Sequence, residues 1–108
     1  MLERDVEKIL VKGVRDLGGK AYKFTSPGND GVPDRLIVLH GLIEFVELKQ
    51  DNGRLSPLQR VQISRLEKMG APVYVLYGEY AVRRYLDLLE KGVKDKCVSF
   101  HTSIKKRR

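Results

Sequence analysis

Apolar residues at Leu2, Val6, Ile9, Leu10, Val14 and Leu17 recur every three to four positions and stop at Gly18-Gly19. That is the period of one face of an amphipathic helix closed by glycine, and it predicts a helix over residues 2 to 17. Lys20 to Phe24 then alternates as a strand does, and the following TSPGNDGVP is dense in turn residues and reads as a loop. Two apolar runs, Asp34 to Leu39 and Leu42 to Lys49, meet at His40-Gly41 and predict a β-hairpin. A helix start follows, with Ser56 as N-cap, Pro57 in the first turn and Gln59 three residues after the serine, the capping-box spacing. Leu58, Val61, Ile63, Leu66 and Met69 supply its apolar positions, and Gly70 ends it.

Pro72 to Tyr77 is β-branched and aromatic and predicts a further strand. Val82, Tyr85, Leu86 and Leu89 restore helical spacing over Tyr80 to Glu90, with Gly92 as the expected stop and Cys97 to Phe100 as a short edge strand. No repeat or linker interrupts the chain. The order αβββαβα predicts a single α/β domain over residues 1–104, a mixed sheet flanked by helices, with residues 105–108 as a basic tail.

Length and composition fit that picture. The 108 residues, 42% of them hydrophobic, suffice for one core. No apolar run approaches the roughly 18–20 residues of a membrane span, and the N-terminus is charged from its third residue, unlike a signal peptide, so a soluble, intracellular, cytoplasmic protein is expected. Cys97 is the only cysteine and the histidines, His40 and His101, lie far apart, which argues against a zinc cluster. Any metal would be held by oxygen, favouring Mg²⁺ or Mn²⁺.

The net charge of +7 is uneven: residues 91–108 hold seven Lys or Arg against Asp95 alone, while residues 1–90 are nearly neutral. Lys105, Lys106, Arg107 and Arg108 therefore read either as a solvated terminus or as an arm that grips nucleic-acid phosphates.

The hairpin raises the sharpest question. Closed by a two-residue turn, it places Asp34 opposite Glu47 as a non-hydrogen-bonded pair, where Cα atoms lie about 4.5 Å apart. Like charges so placed destabilise a sheet, and folding alone gives them no reward. A divalent cation does, held by two carboxylates and a backbone carbonyl, naturally that of Leu48. Lys49, two residues beyond Glu47, projects to the same side and could orient a water or steady a phosphate. The plainer alternative makes Asp34 a turn residue and leaves Glu47 and Lys49 facing solvent. A longer loop at His-Gly would also shift the register and part the acids. Against the plainer reading stand the largely apolar faces of the hairpin, since strands covered on both faces do not ordinarily carry spare charge.

Pro33-Asp34 followed by Glu47-Leu48-Lys49 resembles the PD-(D/E)xK nuclease signature, and the element order is similar to the restriction-endonuclease-like αβββαβ core. GVPDRLI at Gly31 to Ile37, FVELK at Phe45 to Lys49, GRLSPLQ at Gly53 to Gln59 and MGAPVYVL at Met69 to Leu76 narrow the resemblance to the VRR-NUC family. The resemblance implies metal-dependent hydrolysis of DNA phosphodiesters, with Asp34, Glu47 and the Leu48 carbonyl as metal ligands and Lys49 catalytic. It also implies a homodimer acting on branched DNA such as Holliday junctions, and it is compatible with a phage origin.

A further acid from the first helix is expected in such enzymes. Glu3 and Glu7 are the candidates, and Glu3 lies nearer the centre of the apolar stripe. Gln59 either caps its own helix or faces the metal site. Lys23, Ser26 and Arg35 are the candidate DNA contacts of the body. Two rivals remain, a sequence-specific restriction-type endonuclease and a non-catalytic nucleic-acid-binding module. The helix at Tyr80 to Glu90 could serve a dimer interface through Tyr80, Tyr85 and Leu89, or pack within the monomer.

Overall fold

The computed structural model describes the backbone of residues 2–103 and the side chains through Gly92. In chain order the elements are α1 (Glu3–Asp16), β1 (Lys20–Lys23), β2 (Arg35–Leu39), β3 (Leu42–Lys49), α2 (Pro57–Lys68), β4 (Val73–Tyr77) and α3 (Gly78–Ser103). The sheet runs β1-β2-β3-β4, with the first two pairings antiparallel and β3–β4 parallel. The single mixed sheet agrees with the fold expected from the pattern.

Period-two alternation splits the sheet into two faces with different duties. Ile37, Leu39, Val46, Leu48 and Leu76 point to one face, where Val6, Leu10 and Val14 of α1 and Val82, Tyr85 and Leu89 of α3 complete the buried core. The two helices approach closely at Gly13, where a Cβ would come within 2.4 Å of the Leu86 side chain. Any larger residue there would force that side chain aside.

The other face is covered only in part. Of the apolar positions expected to anchor α2, Ile63 is buried and Leu66 half-buried, but Leu58, Val61 and Met69 are exposed. Ile43, on the same face of β3 as Glu47, is 59% exposed. The hairpin is therefore not sheathed on both sides as its apolar composition suggested. α2 shields the β3–β4 end and leaves the rest open.

His40 and Gly41 both adopt positive φ, 47° and 87°, as a two-residue primed turn requires. Histidine is an uncommon occupant of that region. Its ring Nε2 lies 3.3 Å from the Leu17 carbonyl oxygen at the end of α1, a local contact that helps hold the turn. Leu39 accordingly pairs with Leu42, and the register holds out to Arg35 with Val46.

The C-terminal expectation is corrected. Gly92 does not stop α3, and the helix continues through residues 97–100, where an edge strand was expected. An interior glycine costs only about 1 kcal/mol relative to alanine, and the charged residues around it are good helix formers. Lys105, Lys106, Arg107 and Arg108, and with them the tail boundary, lie outside the described residues. No helix among the described residues is long and apolar enough to cross a membrane.

Candidate active site

Beyond the last β2–β3 pair, the same register brings Asp34 opposite Glu47 and Pro33 opposite Leu48. Asp34 sits just before β2, its carbonyl accepting the Phe24 N–H at 2.7 Å. Its carbonyl thus faces β1 and its side chain lies on the open face of the sheet. Glu47 is 1% exposed, and among the described residues its Oε1 is buried without a hydrogen-bond partner. A carboxylate oxygen so placed is costly unless something else binds it.

The electrostatics agree. Burial raises the Glu47 carboxyl to about 7, Asp34 adds to the rise and Glu3 contributes further, against the opposing pull of the Lys49 ammonium and the Asp34 backbone amide. Lys49 Nζ lies 3.6 Å from Glu47 Oε2, and its side chain is only 15% exposed. The lysine is held in the site and does not lie out in solvent.

The Leu48 carbonyl follows from the ladder. Phe45 donates its N–H to the Pro72 carbonyl at 2.9 Å, so odd-numbered residues of β3 bond toward β4 and even-numbered ones toward β2. Leu48 therefore turns its carbonyl toward Pro33, which has no N–H to offer. The proline of the Pro33-Asp34 pair leaves an oxygen acceptor open beside the two carboxylates.

Gln59 resolves two readings that the sequence left as alternatives. Ser56 N–H donates to Gln59 Oε1 at 2.8 Å and Gln59 N–H to Ser56 Oγ at 3.1 Å, a complete capping box. The same side chain donates from Nε2 to Glu47 Oε2 at 3.1 Å. An amide has an acceptor and donors on opposite arms, so one residue caps α2 and holds Glu47 together. Gly31 makes the approach possible: at φ +93°, its missing Cβ would otherwise meet the Leu58 carbonyl group and the Gln59 nitrogen within 2.9 Å. The loop before Asp34 is thereby seated against the start of α2.

The two first-helix acids part company. Glu7 accepts Arg35 Nε at 3.0 Å and Nη2 at 2.7 Å, with Lys23 Nζ 3.6 Å away. Burial pulls its carboxyl upward, but Arg35 and Lys23 outweigh that and hold it below its ordinary range. Among the described residues Glu3 has no such partner, and it lies close enough to Glu47 to raise it.

Asp34, Glu47, Lys49 and Gln59 thus come together, with Glu3 at the margin. Arg35 and Lys23 do not join them. Pairing places both toward α1, and Arg35 Nη1 also donates to the Ala21 carbonyl at 3.0 Å, which makes it a clamp between strands and helix. Ser26 accepts Asn29 Nδ2 at 2.9 Å and shapes its own turn.

Among the described residues no three Asp, Glu, His or Cys side chains converge as a metal cluster. What the site can offer a cation is two carboxylates and a carbonyl, an all-oxygen set of the kind Mg²⁺ and Mn²⁺ take together with waters. The orphaned Glu47 oxygen beside a second acid fits such an ion.

Sequence reasoning overlooked Glu44. It is buried on the core face, and it accepts a short hydrogen bond from the Tyr85 hydroxyl of α3. Burial raises its carboxyl despite that bond, and burial and the same bond raise the tyrosine. A charged residue amid apolar alternation was the available signal.

The VRR-NUC domain profile matches residues 20–80. The p44 protein of Acyrthosiphon pisum secondary endosymbiont phage 1, provisionally named a nuclease, is 49% identical over 75 residues, 68% of this chain and 81% of that protein. A solved structure described as a VRR_NUC domain superposes with a TM-score of 0.74 at 33% identity, covering 79% of this chain and 94% of the other.

Proposed function

The chain belongs to the VRR-NUC domain family of nucleases, and from that premise we propose that it is a Mg²⁺- or Mn²⁺-dependent endonuclease that cleaves branched DNA as a homodimer. The observation that carries the metal is the buried Glu47 Oε1, without a hydrogen-bond partner among the described residues, in a carboxyl that Asp34 pushes further up. In this reading Asp34, Glu47 and the Leu48 carbonyl would hold the ion, with Glu3 as the further acid beside them. Bound there, the ion would lower the pKa of a water and neutralise a non-bridging phosphate oxygen.

The protein's own groups set the geometry. Gln59 Nε2 fixes the Glu47 carboxylate, and because the same amide is tied to Ser56, the start of α2 cannot shift without disturbing the site. Lys49 orients the attacking water on the side opposite the 3′-oxygen, which leaves in line as the water oxygen bonds to phosphorus. Selectivity for branched DNA is supported by economy of structure: the described strands and helices are taken up by the sheet and its cover, with no added ribbon for reading bases in the major groove. A four-way junction has two equivalent strands to cut, which suits a two-fold pair of single-site subunits.

The test compares four-way, flap and linear duplex DNA with the full chain, with Mg²⁺, with Mn²⁺ and with chelator. Expected is metal-dependent cutting that favours the branched substrates, with Asp34→Asn and Lys49→Ala retaining binding while cutting falls by about a hundredfold or more, as when a charge-stabilising group is lost. Uniform cutting of linear duplex at one sequence would replace the branch-selective reading with a restriction-type one. Binding without cutting under every metal condition would make the protein a binding module.

A further inference from the structure

The outward side of α1 has no part in the site just described. At about 100° per residue, Arg4, Lys8, Lys12 and Arg15 fall within an arc of about 80°, opposite the stripe of Val6, Leu10 and Val14 that packs into the core. Together with Glu7 and Arg35 they line an open groove of about 480 Å³. We propose that this groove is a phosphate track: it takes the backbone of a duplex arm leading away from the scissile bond. The inference rests on the nuclease reading for the identity of the polyanion.

Four observations support it. First, the groove and the site share a strand, because Arg35, which lines the groove, directly follows Asp34 in the chain. Second, the acids nearby do not cancel the stripe. Glu7 is occupied by Arg35 and Lys23 on the inner wall. Asp16 meets Lys12 at 2.8 Å and Arg15 at 4.0 Å, but all three side chains are more than half exposed, where such pairs contribute little. Asp5 lies on the flank, and Arg4 and Lys8 have no acidic partner among the described residues.

Third, the length fits a backbone. Arg4 to Arg15 span about 16 Å at ~1.5 Å rise per residue, roughly the axial length of five nucleotide steps at ~3.4 Å, so more than one phosphate of a strand comes within reach of the four bases. Fourth, Arg35 and Glu7 now have a purpose: their paired hydrogen bonds fasten α1 to β2 and fix the track relative to Asp34, one residue before Arg35. Arg35 therefore acts as a positioning residue, while the exposed bases make the contact.

The test reads binding separately from cutting. In an Asp34→Asn chain, affinity for a labelled four-way junction is followed by fluorescence anisotropy from about 50 to about 200 mM salt. Adding Lys8→Gln and Arg15→Gln is expected to reduce the slope of log affinity against log salt by about 1.8, two phosphate contacts at ~0.9 each. The charge-conserving pair Lys8→Arg and Arg15→Lys should restore the slope, which a merely structural role for the helix face would not require. An unchanged slope in the glutamine variant, with the parent still binding, overturns the track. If the slope falls as expected but the wild-type chain cuts no DNA in Mg²⁺ or Mn²⁺, the track stands and the nuclease reading falls.

Discussion

Glu47 concentrates the physics of this molecule in one side chain. A carboxyl raised to about 7 from an ordinary 4.5 is worth about 3 kcal/mol at ~1.36 kcal/mol per pH unit, against the charged form in the folded state. The folded protein thus prefers the protonated acid. That contribution is whole below the unfolded value and is lost as pH rises through about 7. Glu44 acts with the same sign, since burial outweighs its bond from Tyr85. The melting temperature of the metal-free protein is expected to fall from about pH 4.5 to about pH 7.5, and Glu47→Gln should remove most of that fall while leaving the part due to Glu44. Mg²⁺ should restore the wild type at the upper end and scarcely affect the glutamine variant, because a ligand that binds only the folded state stabilises it in proportion to its occupancy. Calorimetry across pH with and without metal measures both. Parallel profiles for the wild type and Glu47→Gln would show that the buried carboxyl is not the titrating group.

At the level of elements, the hairpin was legible because its apolar alternation allowed few registers and His40-Gly41 left only two residues to turn. That register alone set Asp34 beside Glu47. What the sequence could not reveal were the cross-element partners: nothing local says that Glu7 would be taken by Arg35, or that Gln59 would serve the cap and the site at once. The length of α3 was missed for a different reason, since glycine is a statistical stop and a weak energetic one.

Glu44 was missed because a residue that breaks an apolar alternation has no meaning until its partner, 41 positions away, is known. The Glu44–Tyr85 bond joins β3 to α3 across the core, with the Tyr74 ring 5.4 Å from that of Tyr85. Tyr85→Phe should keep the packing but leave Glu44 buried without its donor, costing about 1–3 kcal/mol. Glu44→Leu combined with Tyr85→Phe should recover much of that loss, because replacing both partners removes the unsatisfied group. Denaturant unfolding of the two variants checks this, and equal loss in both would mean that ring packing, not the hydrogen bond, holds α3.

For the whole molecule the proposed function turns on symmetry. Tyr85 and Leu89, once candidates for a subunit interface, are buried in the monomer core, which leaves the exposed Tyr74, Tyr77 and Tyr80 as the aromatic surface beside the β4 edge. A strand edge with free backbone groups and exposed rings suits association better than α3's inner face does. The chain has one Asp34–Glu47 pair, so on the proposed reading, cutting both strands of a junction within one encounter would need two copies related by a two-fold axis. A supercoiled plasmid with an extruded cruciform separates the possibilities. A dimer that cuts twice before leaving converts it to linear DNA with little nicked circle, whereas a monomer builds up nicked circle first, because relaxation reabsorbs the cruciform after one cut. The expected result is linear product from the outset, with sedimentation at micromolar concentration giving twice the monomer mass. Nicked circle as the dominant early species, together with monomer mass both free and on DNA, would remove the symmetric arrangement while leaving the single-site chemistry of Asp34, Glu47 and Lys49 intact.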